Sequence, residues 1–118
     1  MGKRRIGIRR KRSDRNHIVY RITNRETGEF YIGLTAVTGR AFRRSAKLRF
    51  MKHVSRARCE SRDWALYEDM RKHRGNELKV YRWEVVKVVR GKESAHRYEV
   101  QLIDYLKPSL NTHKKNIR

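Results

Sequence analysis

Tyr20 and Tyr31 stand eleven residues apart, each in a run rich in β-branched and aromatic residues. Side chains alternate between the two faces of a strand, so phenols on two paired strands can meet on one face of a sheet. The ordinary alternative is that each ring packs and its hydroxyl reaches water or a backbone group. Arg49 and His53 are four residues apart and project from one face of a helix. A guanidinium grips a phosphate bidentately, and an imidazole beside it donates a hydrogen bond or moves a proton. The neighbouring Arg40, Arg43, Arg44, Lys47 and Lys52 fit a solvated basic face equally well.

Glu99 follows Ala95 by four and precedes Leu102 and Ile103 by three and four, which sets a carboxylate on an apolar stripe. Burying an unpaired charge is costly, so this group requires compensation. One source is a divalent cation, since Mg2+ takes oxygen ligands and is often held by one or two carboxylates with water and phosphate. The other is an ion pair, with Arg97 or Arg49. Glu60, Glu68, Asp69, Glu77, Glu84 and Glu93 read as exposed, which argues against a two-metal carboxylate cluster. Asn111 follows Pro108 closely and suits a turn, while its amide can also hold a loop against the sheet or touch a phosphate.

The elements that must position these groups follow from periodicity. Residues 1–16 carry eight basic side chains, Lys3, Arg4, Arg5, Arg9, Arg10, Lys11, Arg12 and Arg15, against Asp14, and read as a flexible arm. Residues 17–23 and 29–33 form two strands around Asn24 to Gly28, with Gly28 at positive φ. Residues 34–39 read as loop. Phe42, Ala46, Phe50, Val54 and Ala57 recur at helical spacing. A second helix starts with Ser61 as its cap and Asp63 in its first turn, carries Trp64, Tyr67 and Met70, and stops at Gly75. Residues 79–89 favour a third strand, covered on much of both faces, ended by Arg90 and Gly91. Ser94 caps a last helix that Pro108 ends. The order β-β-α-α-β-α implies one α+β domain over 17–111, a three-stranded sheet backed by about three helices, with a basic tail at 112–118.

Composition narrows the partners. The 118 residues include 32 Lys and Arg against 12 Asp and Glu, a formal charge of +20, which points to a polyanion. No apolar run approaches the ~20 residues that span a bilayer. No apolar segment of signal-peptide type follows the basic start. The single Cys59 and five scattered histidines offer no disulfide within the chain and no zinc-like spacing. A reducing, intracellular setting fits this usage.

Together these residues resemble the GIY-YIG nuclease family over His17 to Asn111. Ile18-Val19-Tyr20 stands for the first motif element and Tyr31-Ile32-Gly33 for the second. Arg49 with His53 matches the helix element, Glu99 the metal-binding glutamate, and residues 107–111 the closing asparagine element. Ile18 replaces the glycine of the name, and the stretch from Gly33 to Arg49 is longer than in compact members. That length puts Arg40, Arg43 and Arg44 in competition for the arginine role, but only Arg49 has a histidine four residues on.

The resemblance implies a central three-stranded antiparallel sheet flanked by helices and hydrolysis of phosphodiester bonds in DNA, with RNA also compatible. Glu99 would hold Mg2+, or Mn2+ in its place, and Arg49 would clamp a phosphate oxygen. Tyr20 would activate or orient the attacking water, with Tyr31 and His53 completing its hydrogen bonds. A base role for Tyr20 requires a pKa lowered from about 10 by nearby positive charge. Whether Tyr20 or His53 takes the proton stays open at this level. Lys3 to Arg12 would contact phosphates, which positions DNA without specifying sequence. A free-standing endonuclease of phage or homing type, acting in the cytoplasm on nucleoid or host DNA, is the expectation. Each chain has one active site, so a double-strand break calls for a homodimer, a higher oligomer or two visits. The competing classes are a noncatalytic basic DNA- or RNA-binding protein and a family member that binds without cutting.

Overall fold

The computed structural model describes residues 15–37, 41–59 and 64–111. The basic arm from Lys3 to Arg12, Arg40, Glu60, the Ser61 cap with Asp63, and the tail from residue 112 lie outside them. The described residues form an α+β fold built on a three-stranded antiparallel sheet.

The strands are β1 (Asn16–Asn24), β2 (Phe30–Ala36) and β3 (Tyr81–Arg90), in the spatial order β2-β1-β3. Asn24 makes the hairpin. Its Oδ1 accepts the N–H groups of Glu26 at 2.8 Å and Thr27 at 3.2 Å, and Gly28 takes the left-handed conformation at φ 81°. Leu34 to Ala36 continue β2 instead of forming a loop, because they pair with Val19 to His17. The central β1 is apolar on both sides: Ile18, Val19, Tyr20 and Ile22 are fully buried. The outer β3 is not covered on both faces, since Val86 and Val88 remain exposed on an edge strand. Register between β1 and β3 shifts at Val19 and Tyr20, so Val86 has no partner and bulges beside the middle of β1.

Helix α1 (Phe42–Cys59) buries Ala46, Phe50, Val54 and Ala57 of the stripe its spacing predicts, with Phe42 partly buried and His53 buried beside them. Phe50 stacks on Trp83 with ring centres 4.9 Å apart, tying α1 to β3. Helix α2 (Ala65–Arg71) ends four residues before Gly75. A further turn, α3 (Glu77–Val80), absent from the sequence reading, delays the start of β3 to Tyr81. Helix α4 (Lys92–Leu106) is entered through Gly91 at φ 90°, not through a Ser94 cap. Gly91 supplies the conformation the chain needs to leave β3, and its carbonyl accepts the Ala95 N–H at 3.0 Å. Lys107 closes the helix at φ 50°, and Pro108 follows. Among the described residues no helix is long and apolar enough to cross a membrane.

Two carboxylates expected at the surface are buried. Asp69 shares the inner face of α2 with Leu66 and Met70, and accepts hydrogen bonds from Tyr81 Oη at 2.5 Å and Asn24 Nδ2 at 2.9 Å. Glu77 receives Arg58 through two nitrogens at 2.8 and 3.2 Å and the Gly75 N–H at 3.0 Å. Burial of these two is tolerated because both find donors.

Gly33 lies directly opposite Tyr20 across the hairpin. A Cβ there would collide with the end of the Tyr20 phenol and with the Tyr31 ring. We therefore expect Gly33→Ala to destabilise the domain by about 1–3 kcal/mol in urea unfolding, the usual cost of overpacking. Gly28→Ala, which meets open space and strains only the turn, serves as the comparison.

Candidate active site

Register brings the two tyrosines together. Tyr20 pairs with Gly33 and Ile22 with Tyr31, so both phenols occupy one face of the hairpin, with ring centres 6.1 Å apart. The α1 helix lays His53 against them: its Nε2 shares a 2.8 Å hydrogen bond with Tyr20 Oη, and its ring meets Tyr31 edge-on at 5.3 Å. On its other side His53 Nδ1 shares a 3.2 Å hydrogen bond with Tyr67 Oη from α2. Tyr67 is the residue sequence reasoning missed. Its spacing with Trp64 and Met70 marks it as inward-facing, but nothing in that spacing tells where its hydroxyl ends.

Burial drives the His53 pKa down to about 3, helped by the positive charges of Arg49, Arg56 and Lys52. The ring is therefore neutral at pH 7, with one N–H and one lone pair for two phenols. If Nδ1 carries the proton and donates to Tyr67, then Tyr20 donates to Nε2; the other tautomer reverses both bonds. Burial likewise pushes the Tyr20 pKa well up, assisted by Tyr31, and Arg49 recovers only part of the shift. The lowered Tyr20 pKa that a base role requires is not supplied by Arg49 alone, because desolvation outweighs it. Tyr31 is also raised by burial, and the Glu99 charge adds to this.

Arg49, one turn before His53 on α1, lies beside the Tyr20 hydroxyl. Burial favours its neutral form, but proximity to Tyr20, Tyr31 and Tyr67 more than offsets this and keeps its charge secure. Its Nε is buried with no hydrogen-bond partner. A buried donor without an acceptor is unfavourable, a condition that Trp83 Nε1 shares among the described residues.

Glu99 is held by α4 with its side chain 17% exposed. Burial raises its pKa, opposed by His96. The ion-pair partner is His96, at 3.5 Å, and neither Arg97 nor Arg49. Among the described residues no three His, Cys, Asp or Glu side chains gather as a metal-holding group. A lone, desolvated carboxylate with one weak partner nonetheless fits a hard cation that keeps most of its waters. Tyr20, Tyr31, Arg49 and His53 are thus brought into contact or close proximity, and Glu99 joins them through its field at Tyr31.

Asn111 plays the loop-holding part. Its Nδ2 donates to Ile32 O and its Oδ1 accepts Ile32 N–H, both at 2.9 Å, so the side-chain amide completes the outer edge of β2. Leu110 N–H adds a bond to Phe30 O at 3.1 Å. Both residues wall a cavity of about 140 Å³ with Tyr31, His53, Trp64 and Tyr67. Through these bonds Asn111 fixes the strand that carries Tyr31. Compared with family models, curated proteins and solved structures, the chain matches none.

The depressed His53 pKa carries a sign for stability. In the unfolded chain this histidine protonates near 6.5, but in the fold only near 3. Its contribution is complete above pH 6.5 and is lost as pH falls toward 3. Urea unfolding between pH 7 and pH 4 should show His53→Gln less sensitive to acid than wild type. Parallel curves would exclude a buried neutral His53.

Proposed function

We propose that this chain is a metal-dependent endonuclease of GIY-YIG type that hydrolyses phosphodiester bonds in DNA, with one active site per domain. The observation that carries the reading is the unpartnered buried Nε of Arg49 beside the hydrogen-bonded pair Tyr20 and His53. Such a site is furnished for an oxyanion and for a proton on its way out.

A nonbridging phosphate oxygen gives Arg49 Nε–H the acceptor it lacks. Tyr20 acts as a protonated relay, receiving a proton from the attacking water as its own passes to His53 Nε2. The cation that most depresses the His53 pKa is Arg49, and a bound phosphate offsets that charge, so substrate itself makes the imidazole a better base. This relay uses the tautomer in which Nδ1–H donates to Tyr67 and Nε2 is free to accept. Glu99 would hold Mg2+ or Mn2+, which when bound supplies positive charge to the phosphate and the leaving oxygen.

Supercoiled plasmid is the direct substrate. Wild type should nick or cut it with Mg2+ and not with EDTA, while Glu99→Ala loses cleavage and keeps DNA binding at matched salt. Removing the relay in Tyr20→Phe should slow cleavage by about 10²–10⁴-fold, the range for lost general acid–base help. Binding without cleavage on DNA and RNA substrates would support a noncatalytic basic protein instead.

A further inference from the structure

Beside Arg49, α1 and the end of β2 line an open groove of about 620 Å³. Its α1 wall carries Ser45, Arg49 and Lys52, at i, i+4 and i+7, with Ser55 one turn beyond Lys52; Thr35 and Ala36 form the β2 wall. Among the described residues no carboxylate lines it. Among the described residues Lys52 is exposed and joins no ion pair, so its charge is available to a ligand. Leu48 and Met51, also in the lining, are 59% and 38% exposed, an unusual outlay of apolar surface on a helix otherwise crowded with basic residues.

We infer that this groove holds the DNA strand flanking the cleaved phosphate, with Lys52 as the ligand of an adjacent phosphate. This rests on the nuclease reading of Arg49. Residues three apart on a helix have their Cβ atoms about 5–6 Å apart, so one strand that engages Arg49 passes within reach of Lys52. The hydroxyls of Ser45, Ser55 and Thr35 give neutral donors for further phosphate oxygens, and Leu48 with Met51 offers an apolar surface to sugar and base. A strand is amphipathic in the same sense as the groove, with anions along one side and apolar faces along the other. A compact anion would use the cation and leave the apolar surface bare.

Binding can be tested apart from cleavage. A fluorescein-labelled short DNA duplex is titrated in EDTA with wild type, Lys52→Ala, Ser55→Trp and Lys87→Ala, the last removing an exposed cation from the edge strand β3. Lys52→Ala should weaken Kd about fivefold and lower the slope of log Kd against log salt by about one. Ser55→Trp, which fills the groove without removing charge, should weaken Kd comparably while leaving that slope unchanged. Lys87→Ala should change Kd less than about twofold, and thermal melts confirm that each variant is folded. With Mg2+, Lys52→Ala should raise KM and retain its kcat. If Lys52→Ala and Ser55→Trp bind as tightly as Lys87→Ala, the groove is not a strand site. That result leaves the nuclease reading intact, because cleavage by wild type and its loss in Glu99→Ala are judged separately.

Discussion

The missing side chain at Gly33 is the constraint on which the site depends. The Tyr20 phenol runs across the neighbouring strand through space that any other residue at position 33 would fill. Only from there does its hydroxyl reach His53 Nε2, and only with Tyr20 in that place does the ring of Tyr31 lie beside it. A β-sheet usually holds its tyrosines perpendicular to its plane and apart. Here the hairpin register and one glycine fold two of them onto a single imidazole. The bulge at Val86 lies on the other flank of the same residue, so the middle of β1 is shaped from both neighbouring strands.

Buried polarity is distributed unevenly across the fold. Asp69 and Glu77 are fully provided with donors and fasten α2, α3 and β3 to the hairpin and to α1. They resemble ordinary structural polar groups, whose desolvation is offset by good hydrogen bonds. Arg49 and Glu99 differ. One has a buried donor without an acceptor, and the other a half-buried charge with only a histidine nearby. Incomplete satisfaction is unfavourable for the free protein. It is also what differential binding of a ligand requires, since groups already paired gain little from a newcomer.

Much of this architecture is legible in the sequence. The α1 stripe from Phe42 to Ala57 and the hairpin around Asn24 and Gly28 follow from local spacing and turn chemistry, and both are found. The pairing of Tyr20 with Tyr31 on one face follows from strand alternation once the hairpin is granted. What escapes is set by contacts distant in sequence. Asp69 and Glu77 look like surface acids until Asn24, Tyr81 and Arg58 arrive from elsewhere. The short α3 contains only four residues, too few for a period to emerge. Leu34 to Ala36 carry no strong strand signal and are extended because β1 is there to pair with them. The burial of Tyr20 is equally hidden, since counting nearby cations says nothing about how completely water is shut out.

The Asn111 amide clasps Ile32 across a sequence separation of 79. Contacts between distant positions are slow to form, whereas the hairpin of β1 and β2 needs only its own turn. During synthesis both tyrosines, Arg49 and even Glu99 emerge before the segment that walls the cavity and covers the outer edge of β2. A chain interrupted just after α4 would therefore carry the chemical groups in an unfinished enclosure. Its bare edge at Phe30 and Ile32 would be a template for any passing strand. An incomplete copy thus lacks one wall of the cavity and leaves that strand edge unpaired.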